Sequence, residues 1–153
     1  MSVSVSRISR LAKQVRERLR WLPPSAARLT LGWVFLESGW GKLHDLDKVI
    51  DYFTSLGIPA PRFQAPLVAA VEFVCGGLVL AGLATRLAAL PLIAVMLVAL
   101  ATALRERIES LSDLFGLAEF CYVVLLLGLV VWGAGPLSLD ALLGRGRRQG
   151  SRT

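Results

Sequence analysis

Residues 65–84 read APLVAAVEFVCGGLVLAGLA, a run of twenty residues whose one charged side chain is Glu72. At about 1.5 Å per helical residue the run matches a hydrocarbon core of roughly 30 Å, in which every backbone group must find its partner within the helix. It predicts a membrane-spanning helix. Residues 26–43, 87–104 and 114–132 form three comparable apolar runs. The expected fold is therefore all-α, a polytopic membrane protein built as a four-transmembrane-helix bundle. The 55% apolar composition and a mean hydropathy of +0.62 point the same way, since both exceed what a water-facing domain carries.

Working outward, residues 85–86 leave only a tight antiparallel turn between the second and third runs, and Pro91 is expected in the first turn of the third helix, where its missing N–H is tolerated. Between the first and second runs, Asp45, Asp47, Asp51, Gly57, Pro59 and Pro61 exclude a helix at membrane depth, while residues 46–56 suit a short amphipathic helix. Ahead of the first run, Ile8, Leu11, Val15, Leu19 and Leu22 recur at helical spacing among basic residues. Residues 1–24 are read as an N-terminal amphipathic interfacial helix on an anionic membrane face. The membrane domain is placed at 25–143 and a basic disordered tail at 144–153. No cleavable signal is seen, because Trp40, Gly41 and Lys42 follow the first run in place of a small-residue cleavage site.

Twelve of the seventeen Lys and Arg residues precede or open the first run, sit at Arg86 or follow the fourth, which puts both termini in the cytoplasm of a multi-pass inner-membrane protein. The formal charge of +6 is gathered at the chain ends, and with an apolar stripe among those basic residues the expected partner is the lipid bilayer and not a nucleic acid. Cys75 and Cys121 lie inside apolar runs with no metal-type spacing and are read as packing residues. His44 has no second strong ligand in sequence, so no metal site is expected, and no phosphate loop, dinucleotide fingerprint or haem-type histidine pair is present.

Three acids remain to be explained: Glu37, Glu72 and Glu119. In the inferred orientation each lies about 7–11 Å below the outer surface at 1.5 Å per residue. An ionisable group at such depth usually faces the bundle interior and has a function. The three are expected to share a proton-exchanging site, with at least one of them protonated because like charges so close repel. Small neighbours, Ala69 and Gly76 beside Glu72 and Gly116 beside Glu119, would let helices approach there. Tyr122 lies one turn beyond Glu119. Arg28, Lys42 and Arg86 are expected to hold the geometry or contact lipid headgroups, and Arg105 and Glu109 are spaced for an i,i+4 pair.

The run from Arg28 to Lys42 ending in ESGWGKL, the segment VEFVCGGLVLAGLATRLAAL around Glu72, Gly76, Gly77, Gly82, Thr85 and Arg86, and the closing GAGPLSLD at 133–140 together resemble the DoxX family of small bacterial membrane proteins. The likeness runs from Arg28 to Leu142, with Ala134 standing where the family often has proline. It implies a four-helix membrane domain. It also implies kinship with the small subunit of an archaeal thiosulfate:quinone oxidoreductase and with membrane-associated redox and thiol-stress complexes. On that footing the expected role is a subunit assisting a quinone- or thiol-linked redox reaction, with quinone as substrate, no bound cofactor of its own, and a partner oxidoreductase subunit or a second copy supplying what one chain lacks. Glu37, Glu72 and Glu119 would exchange protons, and Arg28, Lys42, Gly76, Arg86 and Tyr122 would line the ligand site. The competing expectation is a non-catalytic scaffold or small-molecule carrier.

Overall fold

The computed structural model describes Gln14 and residues 17–142. Most of the predicted amphipathic segment 1–24 and the whole tail 144–153 lie outside those residues. Among them the chain is all-α, in the order α1 (Leu22–His44), α2 (Leu46–Ser55), α3 (Pro61–Ala81), α4 (Thr85–Ala101), a 3-10 turn (Arg105–Arg107), α5 (Leu111–Gly116) and α6 (Ala118–Trp132). Of these only α3 is long and apolar enough to cross a membrane by itself. α4 and α6 are apolar but 17 and 15 residues long, and α1, at 23 residues, carries Arg28, Glu37 and Lys42.

Two pairings build the body. α1 and α3 run antiparallel in near backbone contact, because Gly32 faces Leu80, Gly76 faces Phe35 and Leu36, and Gly39 faces Phe73 with no Cβ to hold the helices apart. α4 and α6 meet through larger side chains, with Ala88, Ala89, Leu92 and Met96 packed among Val123, Leu126 and Leu129. α3 also packs on α4 and α1 on α6, which joins the two pairs into one core around Leu31, Phe35 and Val79.

The joints depart from the sequence reading in ways that have local causes. α3 ends in a Schellman-type turn: Gly82 takes φ +72°, its N–H bonds the Val79 carbonyl, and Leu83 N–H bonds that of Leu78. Thr85 and Arg86 are therefore not the turn but the first residues of α4. This start makes Pro91 the seventh residue of that helix, an interior proline instead of a first-turn one. The expected fourth span is broken at Leu117, which is extended (φ −79°, ψ 132°) and separates α5 from α6. α5 begins with a capping box: Ser110 Oγ accepts from Asp113 N–H, and the Ser110 N–H and hydroxyl donate to the Asp113 carboxylate, holding that carboxyl below the usual range. Gly116 and Glu119 thus no longer share a helix face, and a Cβ on Gly116 would meet nothing. Arg105 opens the 3-10 turn and Glu109 lies beyond it, and the two form no ion pair.

The segment 133–140 folds back over the α3–α4 turn. Asp140 caps α4 from far along the chain, accepting from Ala84 N–H at 3.0 Å and Thr85 N–H at 3.4 Å, while its own N–H bonds the Gly82 carbonyl. Asp140→Ala should lower stability by about 1 kcal/mol, the usual worth of an N-cap side chain, seen as a lower thermal midpoint in detergent.

Candidate functional site

Arg28 and Arg86 belong to this turn-covered end. Arg28 is 5% exposed and its Nη2 donates to the Leu137 carbonyl at 2.8 Å. It does not face headgroups as the sequence suggested, because segment 133–140 closes over it. Arg86 is exposed and its Nη2 donates to the Val131 carbonyl at 3.2 Å at the C-terminus of α6. Gly76 belongs to the α1–α3 seam.

At the opposite end, α1 places Ser38 and Lys42 one turn apart on the face that meets α3, and α3 presents Glu72 to both. Glu72 is 1% exposed. Lys42 Nζ donates to its Oε1 at 2.6 Å and its Oε2 at 2.5 Å, and Ser38 Oγ donates to Oε2 at 2.9 Å. A lysine in the last turn of a helix ordinarily turns its ammonium outward. Here it turns inward, since a buried carboxylate without a counter-ion costs more than the extra desolvation of a cation that stays 30% exposed.

The ion pair forms part of the wall of a cavity of about 700 Å³ between α1, α2, α3, α4 and α6. Its lining is mostly apolar, with Phe35, Val68, Val95 and Met96 prominent, and its polar groups come from different elements: Ser38 and Lys42, Lys48, Gln64 and Glu72, Thr102, and Glu119 and Tyr122. Glu119 reaches it from the first turn of α6, directly after the break at Leu117, and Tyr122 lies one turn on with its ring edge against Phe35 at 6.0 Å between centroids. The two residues do not hydrogen-bond each other; they share the cavity.

The expected meeting of three glutamates is not seen. Glu37 is exposed on α1 and outside the cavity, because successive helical residues point about 100° apart and its neighbour Ser38 takes the inward direction. Sequence reasoning overlooked Ser38 and named Lys42 as a ligand-site or headgroup residue without pairing it to Glu72. The signal was their i,i+4 spacing, which stacks both over the level of Glu72 once α1 and α3 pair antiparallel. The roof was legible in part: α2 appears where the amphipathic stripe of residues 46–56 placed it, and it turns Val49, Tyr52, Phe53 and Leu56 to the cavity.

A chemistry of this kind, an apolar chamber with a fixed ion pair and a separate carboxyl, suits a largely apolar molecule with a hydrogen-bonding head. Among the described residues no group of His, Cys, Asp and Glu is arranged to hold a metal ion. The family model for DoxX matches residues 24–105. The chain is 31% identical over 126 residues to CatD of Bacillus subtilis, whose name assigns it provisionally to the oxidoreductases; the match covers 81% of this chain and 89% of that one. It is 38% identical over 136 residues to the uncharacterized membrane protein Rv3486 of Mycobacterium tuberculosis, covering 80% and 83%. It is also 29% identical over 119 residues to the inner membrane protein YqjF of Escherichia coli, covering 78% and 90%. No solved structure matches the chain.

Proposed function

The chain is a membrane protein of the DoxX family, and from that premise we propose that it is the inner-membrane subunit of a redox complex, binding a lipid-soluble quinone in the cavity between α1, α2, α3, α4 and α6. In this reading α1, α3, α4 and α6 all cross the bilayer. The two shorter helices are extended by the residues around them, and both termini stay in the cytoplasm, as the Lys and Arg distribution favours. The observation that carries the proposal is the 700 Å³ apolar cavity with Glu72, Lys42, Glu119 and Tyr122 in its wall.

Quinone reduction consumes two electrons and two protons. The electrons would come from a partner oxidoreductase subunit, and the protons must reach the quinone oxygens from the aqueous side. Glu72 is poorly suited to deliver them, because both its oxygens are engaged by Lys42 and one also by Ser38. No side chain among the described residues hydrogen-bonds Glu119, which lines the same cavity. We assign proton delivery to Glu119, with the Tyr122 hydroxyl as a donor to a quinone oxygen. The Lys42–Glu72 pair orients the head, with the ammonium favouring charge that develops on an oxygen.

Glu119→Gln should lower quinone reduction in membranes holding the partner by about 10²–10⁴-fold, the worth of a positioned acid, while leaving folded yield unchanged. Glu37→Gln should leave the rate as it is. Equal rates in the wild type and Glu119→Gln would remove the proton role. Retention of a quinone-like ligand without any electron-donating partner would favour a carrier, the reading that the cavity supports apart from redox chemistry.

A further inference from the structure

α2 has an apolar face that lies over a cavity. Val49, Tyr52 and Phe53 of α2 and Leu56 just after it turn towards the cavity, with Lys48 at its rim, yet no residue of α2 is buried, and Tyr52 remains 51% exposed. An isolated ten-residue helix is marginal, since most helical stability in a protein comes from packing an amphipathic face. α2 leans on α3 and touches the end of α1, and its last turn is tied down by Ile58, whose N–H bonds the Phe53 carbonyl. The cavity lies between it and α4, with Val98, Ala99, Thr102 and Ala103 on the far side. Its two ends are conformational joints. A single residue, Asp45 (φ −136°, ψ 59°), separates it from α1, and two left-handed residues, Gly57 (φ +69°) and Ala60 (φ +50°), lead into α3.

We infer that the ligand supplies the core that α2 lacks: an amphiphile enters between α2 and α4, sets its oxygen-bearing head against Lys42, Glu72, Glu119 and Tyr122, and lays its apolar body under Val49, Tyr52, Phe53 and Leu56, so that α2 is a roof held closed by what it covers. The inference rests on the proposed ligand site, but not on any redox step. It excludes a small hydrophilic substrate, which would leave the apolar face of α2 against water. It also gives the site a directional entrance, because α3, α1 and the turn at Ile58 hold the other sides of the roof.

Hydrogen–deuterium exchange on the delipidated full chain in detergent tests it, with a decyl-substituted benzoquinone as probe, decanol as the headless control, and probe occupancy measured separately by equilibrium binding. At about 100 times the probe's dissociation constant, linkage allows the amides of residues 46–56 to exchange up to about 100-fold more slowly, while those of the Gly82–Ala84 turn are unaffected. Decanol should protect α2 far less. Val49→Trp, which fills the space with protein, should slow exchange in α2 without any probe and weaken probe binding. Saturating probe with unchanged exchange in α2 would overturn the roof while leaving the cavity as a binding site. Failure of the probe to bind at all would overturn both.

Discussion

Lys42→Met is expected to cost on the order of 3 kcal/mol of stability, because it leaves the Glu72 carboxylate, 1% exposed, with Ser38 as its remaining side-chain partner. The figure is set at the lower end of what breaking a buried pair costs, since Lys42 itself keeps 30% of its side-chain surface and its attraction is partly screened. The measurement is the thermal midpoint of the purified chain in mild detergent. The companion variant decides the interpretation: Lys42→Met combined with Glu72→Leu removes both charges and fills part of the space with carbon. It should recover most of the loss, because an apolar pair of similar volume often equals or exceeds a buried ion pair in stability. If the double variant is as unstable as the single one, the pair contributes through shape and not through charge compensation. For Glu72→Gln the ammonium is the orphan, and it can turn outward to water from the last turn of α1. That variant should therefore lose less than Lys42→Met, an asymmetry the sequence does not disclose.

Gly39→Leu, and Gly76→Leu on the facing helix, should be the most damaging substitutions in the α1–α3 seam. A Cβ at Gly39 would overlap the backbone of Phe73, and one at Gly76 would overlap Leu36 N and the backbone of Phe35. Neither obstacle is a side chain that can swing aside, so the helices must separate. Replacing a helical glycine by a better helix former returns up to about 1 kcal/mol, whereas overpacking costs about 1–3 kcal/mol and more against backbone, so the sign is destabilising. Gly41, on the same helix with nothing near its Cβ, is the control. Gly41→Ala should raise the thermal midpoint, and a common fall in all three variants would show that helix propensity and packing have been misjudged together. Because the Lys42–Glu72 contact depends on the close approach of α1 and α3, the seam variants should also release Lys42 and weaken ligand binding in the cavity.

The apolar run at 65–84, the amphipathic stripe at 46–56 and the resemblance carried by ESGWGKL, VEFVCGG and GAGPLSLD settled the helical class, the family and the existence of α2, because hydropathy and spacing are properties of the chain alone. Breaks and starts were less legible. The left-handed Gly82 and Ala84 and the extended Leu117 shift the start of α4 and divide the expected fourth span, and only the tertiary contacts of segment 133–140 explain why Asp140 caps a helix that begins at Thr85.

For the site, the sequence identified Glu72 and Glu119 as charges that an apolar environment must accommodate, and it named Lys42 and Tyr122 among their companions. It left undetermined which way each helix is turned, and a rotation of one residue, about 100°, separates Ser38 in the wall from Glu37 outside it. That rotation is fixed by three glycines that let α1 and α3 touch, a condition set by two helices at once and therefore absent from either run read singly. Composition and periodicity thus determined what kind of protein this is, and packing decided which of its charges meet.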